Sequence, residues 1–180
     1  MTQVRSNTLH LNGTIENRVD ASAHLRRAGD AVLVNRGRLR LLILICPCGC
    51  GEELTLNLDR RAGPAWRLYL GEAGASLFPS VWRETGCQSH FIIWRDQIFA
   101  LGQARDELPD TLLDTHNKAL VDAVLDQLRD GRLTTYSEVA DAILEVPWDV
   151  LIACRRLVAR GLAVEGTGHE RASFRRLDSS

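Results

Sequence analysis

The chain of 180 residues has no surplus of either charge: 22 Lys and Arg stand against 23 Asp and Glu. That balance excludes the overall basic field of a protein that coats nucleic acid. Long hydrophobic runs are also missing. The longest, Leu41 to Ile45, is far too short to span a bilayer. Residues 1–30 are polar and lack the apolar stretch of a secretory signal. The expected home is therefore the cytoplasm, without membrane partners, where thiols stay reduced. No internal repeat, low-complexity tract or glycine-rich phosphate loop occurs. The apolar fraction of 45% and charged fraction of 25% are those of an ordinary globular protein.

What is present divides into two parts. Residues 1–104 are mildly basic, with 12 Arg and Lys against 9 Asp and Glu; residues 105–180 are mildly acidic, with 10 against 14. Residues 1–28 are poorly defined, with "NTLHLNGTIEN" weakly alternating, as an edge strand would. From Ala31 the pattern is clear. "AVLV", a turn at Asn35-Arg36-Gly37 and "RLRLLILIC" read as a β-hairpin. "LTLNL" and "WRLYL" alternate with period two, and "SLFPS" reads as a loop. "HFIIW" and "QIFAL", split by Arg95-Asp96, read as a second hairpin. This is the pattern of a small antiparallel sheet.

Residues 105–114, with Pro109, read as a linker. The period then becomes helical: Leu120, Val121, Val124, Leu125 and Leu128 form one stripe, closed by Asp130-Gly131. Thr135-Tyr-Ser-Glu138 fits a capping box opening a second helix. Pro147 suits the first position of a third helix that Gly161 ends, and "LAV" and "ASFRRL" close the chain as a hairpin. Helices followed by a hairpin over residues 115–177 resemble the winged helix-turn-helix superfamily, and residues 115–180 are expected to form that domain. The expected fold class is thus α+β: an antiparallel β domain at residues 1–104, then a winged helix. The resemblance implies that the third helix and the wing present a recognition surface. Its expected residues are Trp148, Asp149, Ile152, Arg155, Arg156 and Arg160, with His169, Arg171, Arg175 and Arg176 on the wing. Those arginines suit DNA phosphates. The acidic balance and Asp149 favour a protein partner instead.

The chemistry concentrates in "CPCGCGEE" at Cys46–Glu53 and in Cys87-Gln-Ser-His90. Three cysteines at alternate positions, plus C-x-x-H, offer the soft thiolate and imidazole donors that zinc prefers in closed tetrahedral structural sites. Gly49 and Gly51 permit the backbone to curl around an ion. Five candidates, Cys46, Cys48, Cys50, Cys87 and His90, compete for four positions. The expected set is Cys48, Cys50, Cys87 and His90, with Cys46 left over; alternatives put Cys46 in place of Cys48 or of His90. Such a zinc would tie the two hairpins together. Other readings are a disulfide, a Cys87–His90 nucleophile pair, or a catalytic zinc with Glu52 or Glu53 as base. Cys154 reads as a core thiol, and His10, His24 and His116 as solvated.

"CPCGCG", Trp66, "SLFPS" at Ser76–Ser80 and "CQSH" at Cys87–His90 together resemble a bacterial family catalogued as domain of unknown function 6527, over about residues 30–103. Its members are often encoded beside ubiquitin-like conjugation genes. The resemblance implies a zinc-stabilised accessory module of such a pathway, a non-enzymatic adaptor with a protein partner. A DNA-binding regulator and a zinc- or cysteine-dependent hydrolase of ubiquitin-like substrates are the alternatives. Asn57, Ser80, Trp82 and Arg83 flank the motif and offer a recognition surface, whereas Trp66 and Trp94 read as core.

Overall fold

The computed structural model describes residues 4–100, 118–129 and 131–177. The chain divides into two compact units, Met1–Glu107 and Leu108–Ser180. The expected linker, His116, Asn117 and Asp130 lie outside the described residues.

The first unit holds two four-stranded sheets. One is built from β1 (His10–Ile15), β2 (Asp30–Asn35), β3 (Leu39–Ile45) and β4 (Glu53–Asn57), in that order. The other follows with β5 (Arg67–Gly71), β6 (Gly74–Trp82), β7 (His90–Trp94) and β8 (Gln97–Ala100). All neighbours are antiparallel except β1 and β2, which run parallel. Alternation explains the packing. Leu42, Leu44, Leu54 and Leu56 of the first sheet and Leu77, Val81, Phe91 and Ile93 of the second share one buried core. Val32, Val34, Ile43 and Ile45 point the other way. They pack under Ala21 and Leu25, which belong to or closely follow a 3₁₀ turn at Arg18–Ala23. This double burial is why "LRLLILI" has no polar alternation: its strand is central and covered on both faces.

The hairpins fall where the apolar runs and turns put them, with one correction. "SLFPS" is not a loop but the middle of β6, the longest strand. Its pairing with β7 shifts register between Leu77 and Val81, at the stretch containing Pro79. Proline reads as a loop signal, yet a strand accepts it at such an irregularity.

The second unit contains α1 (Lys118–Gln127), β9 (Thr134–Thr135), α2 (Tyr136–Ile143), α3 (Pro147–Ala159), β10 (Ala163–Glu165) and β11 (Ser173–Arg176). The sheet order is β10-β11-β9. Both halves of the capping box form: Thr135 Oγ1 accepts from the Glu138 N–H at 3.2 Å, and Glu138 accepts from the Thr135 N–H at 2.9 Å. Leu144, left-handed at φ 59°, ends α2, and Pro147 starts α3. Among the described residues no helix is long and apolar enough to cross a membrane.

Candidate functional site

The cysteine cluster forms where β3 ends. Cys46 donates its N–H to the Glu52 carbonyl (2.8 Å), and Gly49 donates to the Cys46 carbonyl (3.3 Å). The chain therefore makes a tight loop through Pro47–Gly51. Gly49 at φ 87° and Gly51 at φ 81° allow it, a region that disfavours side chains. The loop turns Cys46, Cys48 and Cys50 inward, and Cys87 reaches them from the segment between β6 and β7. The four Sγ atoms lie within 4.8 Å of one another, with Cys46 to Cys48 at 3.3 Å and Cys46 to Cys87 at 3.7 Å. A tetrahedron of sulfurs bound at zinc's usual length has edges of roughly 3.8 Å. Donor type, number and spacing all fit a zinc ion.

The group is the alternative set that puts Cys46 in place of His90. Cys46, fully buried, belongs to the group, and His90 does not. The reason is the strand pleat. His90 opens β7 opposite Trp82, and its neighbour Phe91 faces the core. The His90 side chain therefore leaves on the other face of the sheet.

Polar groups surround the thiols. The Ser89 hydroxyl lies 3.3 Å from both Cys46 and Cys87 sulfurs. Arg83 Nη1 donates to Cys87 Sγ at 3.3 Å and to Cys50 Sγ at 3.9 Å, and is paired with Glu52. Burial pushes the Cys48 and Cys50 thiols up. Burial also opposes ionisation of Cys87, but the Ser89 hydroxyl and N–H, then the Cys48 and Cys46 thiols, hold it at about 6. A cation bound by the four sulfurs would displace the protons that the thiols carry.

On the opposite face, His90 Nε2 and Ser80 Oγ are 3.0 Å apart. They come from adjacent antiparallel strands. Ser80 lies two residues before Trp82, so Ser80, Trp82 and His90 share one face while Val81 and Phe91 fill the core. Trp82 is 61% exposed and stands beside the imidazole, ring centroids 5.7 Å apart. Ser80 is held from behind: the Trp66 indole N–H donates to its carbonyl at 3.4 Å. Trp66 is placed in turn by its N–H to the Asn57 carbonyl (2.8 Å), and the Asn57 amide organises the loop through the Asp59 and Pro64 carbonyls. His90 also lines an open cleft of about 710 Å³, with Arg5, Asn7, Cys48, Gln88 and Phe91 among its walls.

A serine hydroxyl on an imidazole nitrogen is the pairing of nucleophilic acyl transfer. In the sequence alone the two residues are not joined: Ser80 reads as surface and His90 as a metal ligand. The available signal was the position of both on one face of neighbouring strands, and it was hidden by reading "SLFPS" as a loop.

The predicted surface of the second unit also needs correction. Trp148 is 2% exposed and stacks against Tyr136, centroids 6.1 Å apart; Ile152 is buried as well. Both continue the Leu151 stripe at helical spacing, so the apolar arc of α3 is wider than one narrow seam. Arg160 and Arg171 are exposed, and Arg155, Arg156, Arg175 and Arg176 half-buried. Cys154 is fully buried, its thiol pushed up to about 12 by that burial.

Residues 17–101 match the model of a family described as bacterial ubiquitination-like system serine protease (BubE). No curated protein and no solved structure matches the chain.

Proposed function

We propose that the first unit is a serine peptidase of a bacterial ubiquitination-like system, with Ser80 as nucleophile and His90 as general base. The observation that carries the reading is the 3.0 Å contact between Ser80 Oγ and His90 Nε2. The description of the matched family supports it independently. The reading favours the hydrolase alternative over the non-enzymatic adaptor, with serine in place of zinc or a thiol as the attacking group.

With its proton on Nδ1, neutral His90 accepts the Ser80 hydroxyl hydrogen bond at Nε2. As Oγ attacks the substrate carbonyl carbon, the proton passes to Nε2. The tetrahedral intermediate collapses with cleavage of the C–N bond, and His90 returns the proton to the leaving amine. Water, deprotonated by the same imidazole, then hydrolyses the acyl-enzyme. Trp66 fixes the Ser80 backbone, and Trp82 packs beside the ring, holding its orientation. Cys46, Cys48, Cys50 and Cys87 would hold a structural zinc, which when bound supplies a rigid joint between the end of β3 and the segment leading into His90. That chemistry needs reduced thiols, in keeping with a cytoplasmic location.

The second unit is, in this reading, a winged helix: three helices, a small sheet in the order β10-β11-β9, and a wing between β10 and β11. Its arginines serve a protein partner of the pathway. Net acidity makes DNA the less favoured ligand.

The test is labelling with an alkyl fluorophosphonate. The purified protein should be modified at Ser80, located by mass spectrometry. Ser80→Ala should remain unlabelled while keeping its metal content and circular dichroism, with hydrolysis lower by at least about a thousandfold. Equal labelling of the alanine variant would defeat the assignment.

A further inference from the structure

The backbone beside Ser80 has an unfilled strand position. Arg83 donates its N–H to the Ser89 carbonyl at 3.0 Å, which makes 83 and 89 a hydrogen-bonded pair of the β6–β7 ladder. By alternation, Val81 and Phe91 are the next such pair, whereas Trp82 and His90 face each other without exchanging hydrogen bonds. The N–H and C=O of Trp82 therefore point away from β7, toward the side where β5 would lie. But β5 stops short. Its last partner in that direction is Arg67 opposite Phe78. One residue earlier the chain has turned off toward β4, since the Trp66 N–H goes to the Asn57 carbonyl. The Trp66 side chain alone returns, to cap the Ser80 carbonyl. Among the described residues nothing pairs with the main-chain groups of Trp82.

We infer that this gap is a substrate subsite, and that the enzyme takes polypeptide in an extended conformation, adding it to β6 as a short strand through the N–H and C=O of Trp82. The inference rests on the peptidase reading of Ser80 and His90. It deepens that reading by naming the substrate class: an extended tail or linker rather than a folded loop or a small ester. Strand addition provides affinity through main-chain bonds that are indifferent to side chains. It also delivers the scissile carbonyl two residues from where the strand is gripped, because Ser80 and Trp82 are successive same-face residues of β6. The exposed Trp82 ring then lies where a substrate side chain on that face would rest.

The experiment compares labelling rates at Ser80. The probes are a pool of tetrapeptidyl diphenyl phosphonates, varied in the residue next to phosphorus, and the same pool with two internal amides replaced by esters. An ester lacks the N–H donor and is a poorer acceptor. The peptide pool should label the wild-type protein roughly tenfold faster per hydrogen bond lost in the ester pool. Trp82→Ala, which keeps the main-chain donor, should preserve that preference. Trp82→Pro, which removes the N–H at a position the β7 ladder does not use but keeps the C=O, should slow labelling by both pools and narrow the preference without abolishing it. Equal rates for the two pools on the wild-type protein, or no labelling by either while the alkyl fluorophosphonate modifies Ser80, would overturn the inference and leave the peptidase intact. Failure of the alkyl fluorophosphonate itself would remove the peptidase reading and this one with it.

Discussion

Four of the five cysteines lie in the first unit, within 4.8 Å of one another, and the fifth, Cys154, lies in the second. The same side chain has two fates. Cys46 is as buried as Cys154, yet Cys46 ends a strand beside a glycine-bearing loop with polar groups around it, whereas Cys154 sits mid-helix among Val150, Leu151 and Leu157. Burial alone makes a thiol inert. Burial with convergent donors and a nearby cation makes it a ligand. The two units differ accordingly. In the first, a thiol cluster and a serine–histidine contact flank one strand pair. In the second, the described interior is an ordinary apolar helical core.

The largest effect that would break this contrast is expected at Cys46. Cys46→Ser should lower bound zinc from about one per chain to near none. Hydrogen exchange should rise throughout β3, β4, β6 and β7 and stay unchanged in α1–α3. Retained metal with unaltered protection would mean that the cluster does not hold the unit together. The mirror experiment comes next. Leu157→Ala, at a fully buried site in α3, should cost about 2–5 kcal/mol in the second unit, read by exchange in α2 and α3. Ser80 labelling should not change; a fall in labelling would show that the second unit controls the first. The smallest effect concerns Asp59. The Arg61 N–H, and then Arg38 and Arg40, hold its carboxyl below the usual carboxylate range despite the opposing desolvation. A carboxyl depressed in the folded state stabilises above its unfolded value and loses that contribution as pH falls through the folded value, here below about 4. Melting temperatures of Asp59→Asn should thus fall less steeply between about pH 4 and 2 than those of the wild-type protein.

Much of this was legible in the linear order of residues. Period-two alternation located β4 and β5, apolar runs bounded by turn residues located β2, β3, β7 and β8, and Thr135-x-x-Glu138 located the start of α2, because these signals are local. The cysteines announced a group able to hold a metal through density and glycine placement. The pairing of the site was not legible. Whether His90 joins the thiols or Ser80 depends on which face of β7 it leaves, and that is set by Phe91 entering the core. Trp148 escaped for a related reason: a helix stripe is read from neighbours in sequence, but its width is decided by what packs against it, here Tyr136.

The sequence by itself determined the donors, the strands and the helices, since side-chain chemistry and periodicity are properties of the chain. Only the tertiary structure decided that one hairpin presents two separate chemistries, thiols at its end and serine with histidine on its outer face. The physical reason is the pleat: adjacent residues Ser89 and His90 serve different sites because the chain sends successive side chains in different directions.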